Sequence, residues 1–134
     1  MHTTNYLNTF IFVADDCPVT KAEVPPKKEI KTVASMQFDM LKNAPYQHTS
    51  DEVLFQVFAA KNNIPEADRD SEKKKFFSKG QPCFRSSPLT KRYGWGVHFN
   101  QEGKMALYAV ESDEYRQFSQ ANSLKTIKAM RTSK

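Results

Sequence analysis

The sequence predicts an α+β fold in which a small antiparallel sheet is packed by four to five helices. Three observations carry that expectation. Residues 9–14, Thr-Phe-Ile-Phe-Val-Ala, form a short run whose two alternating sets, Phe10/Phe12 and Ile11/Val13, are both apolar. A strand covered on both faces has that composition. Residues 95–99 and 104–110 alternate in the manner of strands and flank Asn100-Gln-Glu-Gly103, a β-hairpin signal with Gly103 in the left-handed position. The stretch between these segments carries helix caps and apolar positions at helical spacing.

In chain order, Asp15-Asp16-Cys17-Pro18 turns the chain out of the first strand. Residues 18–31, with Pro18, Pro25, Pro26 and many charges, read as an extended surface connection. Val33, Met36, Met40 and Leu41 recur at helical spacing over 33–41 and stop before Pro45. Thr49-Ser-Asp-Glu52 supplies cap chemistry for a second helix with Val53, Leu54, Val57 and Phe58 on its apolar face. A third helix runs from Glu66 to about Ser78, acidic at its start and lysine-rich at its end, as the helix dipole favours. Gly80 stops it, and the loop that follows has room for a short strand at 82–85. In the hairpin, a glycine bulge at Gly103 is expected to set Val97 opposite Met105 and Trp95 opposite Leu107, making one face wholly apolar. The other face then shows Gly94, Gly96, His98, Ala106 and Tyr108. Ser112 caps a further helix, and Leu124, Ile127 and Met130 form the stripe of a last, basic amphipathic helix over 123–131.

Composition narrows the class. A chain of 134 residues, 39% hydrophobic and 26% charged, is expected to form one domain over 1–134. Ten Phe, five Tyr and one Trp exclude disorder. No apolar run approaches the roughly 20 residues of a membrane span. Two cysteines, Cys17 and Cys83, are too few for a disulfide framework, and with no basic leader ahead of an apolar run the reading is a reducing, cytoplasmic setting. No paired His or Cys spacing marks a metal site, and neither the Walker pattern nor the dinucleotide fingerprint is present, so no cofactor is assigned. Monomer and homodimer both fit.

The net charge of +5 is unevenly spread. Residues 51–72 hold six acids against two bases, whereas residues 73–92 hold seven bases and no acid. Residues 116–134 add five more bases and no acid. Such blocks suit an anionic partner. A nucleic acid is the less favoured one, because the aromatics Phe10, Phe12, Trp95 and Phe99 read as core rather than as a stacking platform.

The loop 80–93 is therefore the expected site. Arg85, Lys91 and Arg92 would hold a small anionic ligand, Ser86 and Ser87 would donate hydrogen bonds, and the His98/Tyr108 face would border it. A second expectation makes Cys83 a reactive thiol, in an enzyme or a redox protein, with His98 as its base. A third is an interaction module that uses the basic C-terminal helix on an acidic partner or nucleic acid.

Several long blocks carry a resemblance. Met-His-Thr-Thr-Asn-Tyr6, Val13-Ala-Asp-Asp-Cys-Pro-Val-Thr20, Thr49-Ser-Asp-Glu-Val-Leu-Phe55, Phe76-Phe-Ser-Lys-Gly-Gln-Pro-Cys83, Ser87-Pro-Leu-Thr-Lys-Arg-Tyr-Gly-Trp-Gly96 and Leu107-Tyr-Ala-Val-Glu-Ser112 are similar to a family of small bacterial hypothetical proteins catalogued only as a domain of unknown function. The resemblance covers nearly the whole chain. It implies a stand-alone bacterial cytoplasmic protein and assigns no site residue.

Overall fold

The computed structural model describes residues 2–132. Its elements run β1 (Thr9–Phe12), α1 (Val33–Asn43), α2 (Ser50–Lys61), α3 (Arg69–Phe77), α4 (Pro88–Lys91, a single turn), β2 (Trp95–Phe99), β3 (Met105–Ala109), α5 (Asp113–Gln120) and β4 (Lys125–Lys128). This is an α+β arrangement with sheet order β3-β2-β1-β4. Lys134, part of the C-terminal basic block, lies outside the described residues.

The helices begin where their caps lie. Thr32 accepts from Ser35 N, Thr49 and Glu52 form a complete capping box, and Ser112 accepts from Tyr115 N. The buried face of α1 differs from the expected stripe: Ala34, Ser35, Gln37, Phe38 and Leu41 face inward, while Val33 is exposed. Asp51, in the first turn of α2, accepts from Thr3 Oγ1, Thr4 N and Thr4 Oγ1, all at 2.7 Å, and its own amide donates to Asn5 Oδ1. This latch fixes the N-terminal segment and thereby Tyr6, whose ring meets Phe99 edge-on.

The sheet is mixed, not antiparallel. β1 pairs antiparallel with β2 but parallel with β4, Ile11 opposite Ile127 and Phe12 opposite Lys128. The expected C-terminal helix over 123–131 is therefore a strand. Its sequence suits both periods: Leu124, Ile127 and Met130 fit a helix, whereas Ile127 and Ala129 fit one face of a strand and pack on the core. The need of β1 decides between them. Its residues Thr9, Phe10 and Ile11 are at most 1% exposed, and buried backbone groups must find partners on both edges. β2 serves one edge, and the last segment serves the other. The interaction-module reading loses the helix on which it rested.

Two further expectations are corrected. Residues 82–85 form no strand: Phe84–Ser86 is a 3₁₀ turn that leads into α4, whose N-cap is Ser87 with Pro88 in its first turn. Proline fits that position because the first helical amides need no intrahelical partner. The hairpin is offset by two residues from the expected register, pairing Val97 with Leu107, Trp95 with Ala109 and Phe99 with Met105. Gly103, with φ +79°, lies inside the turn, which closes at Asn100 and Lys104; Asn100 Oδ1 accepts from the amides of both Glu102 and Lys104. An even offset keeps every side chain on its expected face.

One sheet face, carrying Ile11, Val97, Phe99, Met105 and Leu107, joins Ala34, Phe38, Leu41, Val53, Phe84 and Leu89 in the main core. A separate apolar cluster of Phe55, Ala59 and Phe77, with Phe58, Ile64 and Phe76 against it, ties α2 to α3. The opposite sheet face is covered by α5. Phe10 meets Tyr115 at 5.0 Å and stacks on Phe118 at 5.2 Å, and Tyr115 Oη accepts from Val13 N.

Gly96 lies beneath those rings. A Cβ there would come within 2.6 Å of Phe10 Cζ and of Tyr115 Cε2. Gly96→Ala should therefore cost about 1–3 kcal/mol, the usual penalty of overpacking, read from urea unfolding. An unchanged midpoint would mean that α5 is free to lift from the sheet.

Candidate functional site

Two polar constellations emerge, one on each side of the sheet. The first borders a groove of about 290 Å³. Val33 and Gln37 of α1 line it, with Leu54, Val57, Phe58 and Lys61 of α2, then Phe76 of α3 and, from the following segment, Gln81, Pro82, Cys83, Ser86, Ser87 and Pro88. The one-turn spacings of 33/37 and of 54/57/58/61 bring each set onto a single helix face. The size is at the lower end of small-molecule pockets, which span roughly 300–1,000 Å³. Its walls come from both apolar clusters, so the groove is the seam where the two fail to close on one another.

Gln37 is the unusual member. It is 2% exposed, and its Oε1 accepts from Ser87 Oγ at 2.6 Å. Ser87 Oγ in turn accepts from Leu89 N, which commits its hydroxyl proton to Gln37 and fixes the orientation of the amide. Gln37 Nε2 has no hydrogen-bond partner among the described residues. The nitrogen is not sealed from solvent, and it belongs to a groove-lining residue, so it is a donor open to the groove.

Cys83 is a free, partly buried cysteine on the same groove. Its Sγ is 3.3 Å from Tyr6 Oη. The Tyr6 hydroxyl is pushed up to about 12, first by burial and then by its bond to Cys83, with Arg85 acting in the opposite sense. It therefore keeps its proton at neutral pH and can donate it to sulfur.

Of the remaining loop residues, Arg85 and Arg92 have partners outside the groove. Arg85 Nε donates to Lys128 O, and Met130 N donates to Arg85 O, so this arginine ties the loop to β4. Arg92 pairs with Glu23 at 3.4 Å and lies over the Tyr93 ring. Ser86 lines the groove and contacts Met130 Sδ. Lys91, in the last turn of α4, is not among the groove residues.

His98 and Tyr108 belong to the second constellation, across the sheet. Alternation along β2 puts Phe99 on the Tyr6 and Cys83 side and His98 on the other. Tyr46 Oη lies 2.7 Å from His98 Nδ1 and 2.9 Å from Tyr108 Oη, and the imidazole stacks on Phe118 at 4.3 Å. Burial holds His98 below its ordinary pKa, and the direction of its Nδ1 hydrogen bond with Tyr46 Oη is set by the ring tautomer. Burial and the Tyr108 contact push the Tyr46 hydroxyl above its ordinary range. Tyr46 holds this position with φ +59°, a left-handed backbone that costs a non-glycine residue roughly 1–2 kcal/mol. The structure thus brings Cys83, Ser86 and Ser87 to one groove and places His98 and Tyr108 together elsewhere.

Gln37, Lys61, Tyr6 and Tyr46 did not stand out in the sequence. Gln37 left one trace: it lies four residues after Val33 and four before Leu41, a polar residue on the apolar side of α1. Tyr6 and Tyr46 left none, because their partners are distant in the chain.

A family model described as "Family of unknown function (DUF6157)" matches residues 1–134. The chain belongs to that family. No curated protein and no solved structure matches it. Among the described residues, no helix is long and apolar enough to cross a membrane, and no group of three or more His, Cys, Asp or Glu is placed to hold a metal ion.

The His98 cluster has a pH signature. The folded-state pKa lies below the ordinary 6.5, so the unfolded chain takes up this proton first as pH falls. The stabilising contribution is complete above 6.5 and is lost as pH falls through the folded-state value. Unfolding midpoints measured from about pH 7.5 down to about pH 5 should drop more steeply for the native chain than for His98→Gln. Parallel curves would remove His98 as the cause.

Proposed function

We propose that this is a bacterial, cytoplasmic protein that binds a small molecule with an apolar body and an anionic, acceptor-bearing end in the groove between α1, α2, α3 and residues 81–88. The observation that carries the reading is the Gln37 amide, buried, oriented by Ser87 and lacking a partner for Nε2 among the described residues. A carboxylate or carbonyl oxygen completes such a donor. The apolar walls of Val33, Leu54, Val57, Phe58, Pro82 and Pro88 suit an aliphatic or aromatic body.

Two features favour negative charge. Lys61 is the groove's cationic residue, and Val33 sits in the first turn of α1, at the positive end of that helix dipole. The expected ligand set is accordingly revised: Ser86 remains on the groove wall, Ser87 spends its hydroxyl proton on orienting Gln37, Gln37 and Lys61 join as ligand contacts, and Arg85 and Arg92 hold the loop in place. The two cysteines, both free thiols, suit a reducing compartment.

Octanoate is a suitable probe. Titration followed by amide chemical shifts should give saturable changes centred on residues 33–37, 54–61 and 81–88. Gln37→Glu keeps the acceptor for Ser87 but turns the free donor into a carboxylate oxygen. It should weaken octanoate roughly tenfold or more, equivalent to about 1.4 kcal/mol. Absence of saturable shifts in the native protein, or equal affinity in Gln37→Glu, would overturn the proposal.

A further inference from the structure

We infer that the groove is also a covalent capture site, in which Cys83 adds to α,β-unsaturated carbonyl compounds whose oxygen is held by Gln37. The inference rests on the groove being a binding site, as proposed above, and adds a reaction to it. Two independent observations meet in one cavity. Cys83, a free cysteine with a hydroxyl at 3.3 Å from its sulfur, lines it. So does Gln37, whose amide is buried and whose Nε2 is unpartnered among the described residues. A conjugate addition needs this pair of groups, a nucleophilic sulfur and a donor where negative charge develops on oxygen.

The step balances without a further reagent. Sulfur forms a bond to the β-carbon as the carbon–carbon π bond breaks. That electron pair moves onto the carbonyl oxygen, where Gln37 Nε2 donates to it. The proton given up by the thiol returns through solvent to the α-carbon. The product is a saturated thioether, and nothing is oxidised or reduced.

Tyr6 supports the sulfur. Its hydroxyl keeps its proton at neutral pH and can donate to the thiolate. The N-terminal latch on Asp51 holds this tyrosine in place. His98 takes no part, because it lies across the sheet.

The test uses two reagents on the native protein, with Cys17 as the internal reference. 1-Octen-3-one carries an apolar chain and an activated carbonyl; methyl methanethiosulfonate reacts with thiols and has no carbonyl. Rates at each cysteine are read by mass spectrometry of quenched digests. The Cys83-to-Cys17 rate ratio should be roughly tenfold greater for the enone than for the thiosulfonate. Gln37→Met also takes the acceptor from Ser87, a change common to both reagents; it should abolish the excess for the enone while the thiosulfonate, which has no carbonyl to hold, keeps its ratio within about twofold. Equal ratios for the two reagents in the native protein overturn the inference without reference to any variant. Saturable octanoate binding with equal ratios would sink the capture chemistry alone. Excess enone selectivity lost in Gln37→Met, without octanoate binding, would uphold the capture chemistry and sink the preference for an acid.

Discussion

β1 is the constraint from which the rest of the structure follows. Four residues, Thr9–Phe12, lie in the middle of the sheet with a strand on each edge and an apolar layer on each face. Ile11 enters the main core, while Phe10 stacks beneath α5. Its buried amides and carbonyls need partners along both edges, and that demand recruits the C-terminal segment from more than a hundred residues away. Arg85 joins in from the loop, bonding to the carbonyl of Lys128 and accepting from the amide of Met130. The geometry of the groove's loop wall thus depends on the strand at the centre of the sheet.

The groove itself reflects how the helices divide their apolar surface. α2 contributes to both clusters, with Val53 and Val57 in the main core and Phe55 and Ala59 in the other. A helix apolar around that much of its circumference cannot bury every side against one layer. α1 and the sheet take one side, α3 takes another, and a gap lined by Phe58, Phe76 and residues 81–88 is left between them. Interiors are normally packed to crystal-like density. The seam leaves the Gln37 amide nitrogen without a partner among the described residues and open to the groove.

Much of the fold was legible because local chemistry and tertiary need agreed. Thr49 and Glu52, Ser112, the doubly apolar run at Phe10–Phe12 and Gly103 in its turn all read correctly from the sequence alone. The errors fall where one sequence satisfies two periods or where the deciding partner is remote. Residues 124–130 fit a helix until the bare edge of β1 is taken into account. Arg85 and Arg92 have partners remote in the chain, Lys128 O and Glu23, that their local sequence does not announce. Gln37 gains its meaning from Ser87, fifty residues away, and Tyr46 from His98 and Tyr108, fifty-two and sixty-two residues away. Side chains whose role is to bridge distant segments carry little local signature.

The sheet also separates the Cys83 thiol from the His98 imidazole. Cys83 and His98 are fifteen residues apart in sequence, close enough for a nucleophile and base to be imagined as a pair. Strand alternation divides them, and each has a different phenol for a partner. Acyl transfer through a thioester asks for a base that takes the thiol proton and an acid that returns it to a leaving group. Neither the amide of Gln37 nor the phenol of Tyr6, which holds its proton up to about pH 12, can cycle a proton in that way near neutrality. Addition to a polarised double bond asks for less: a sulfur whose anion is hydrogen-bonded, and a fixed donor for the carbonyl oxygen. Within this groove, the available groups match the smaller requirement.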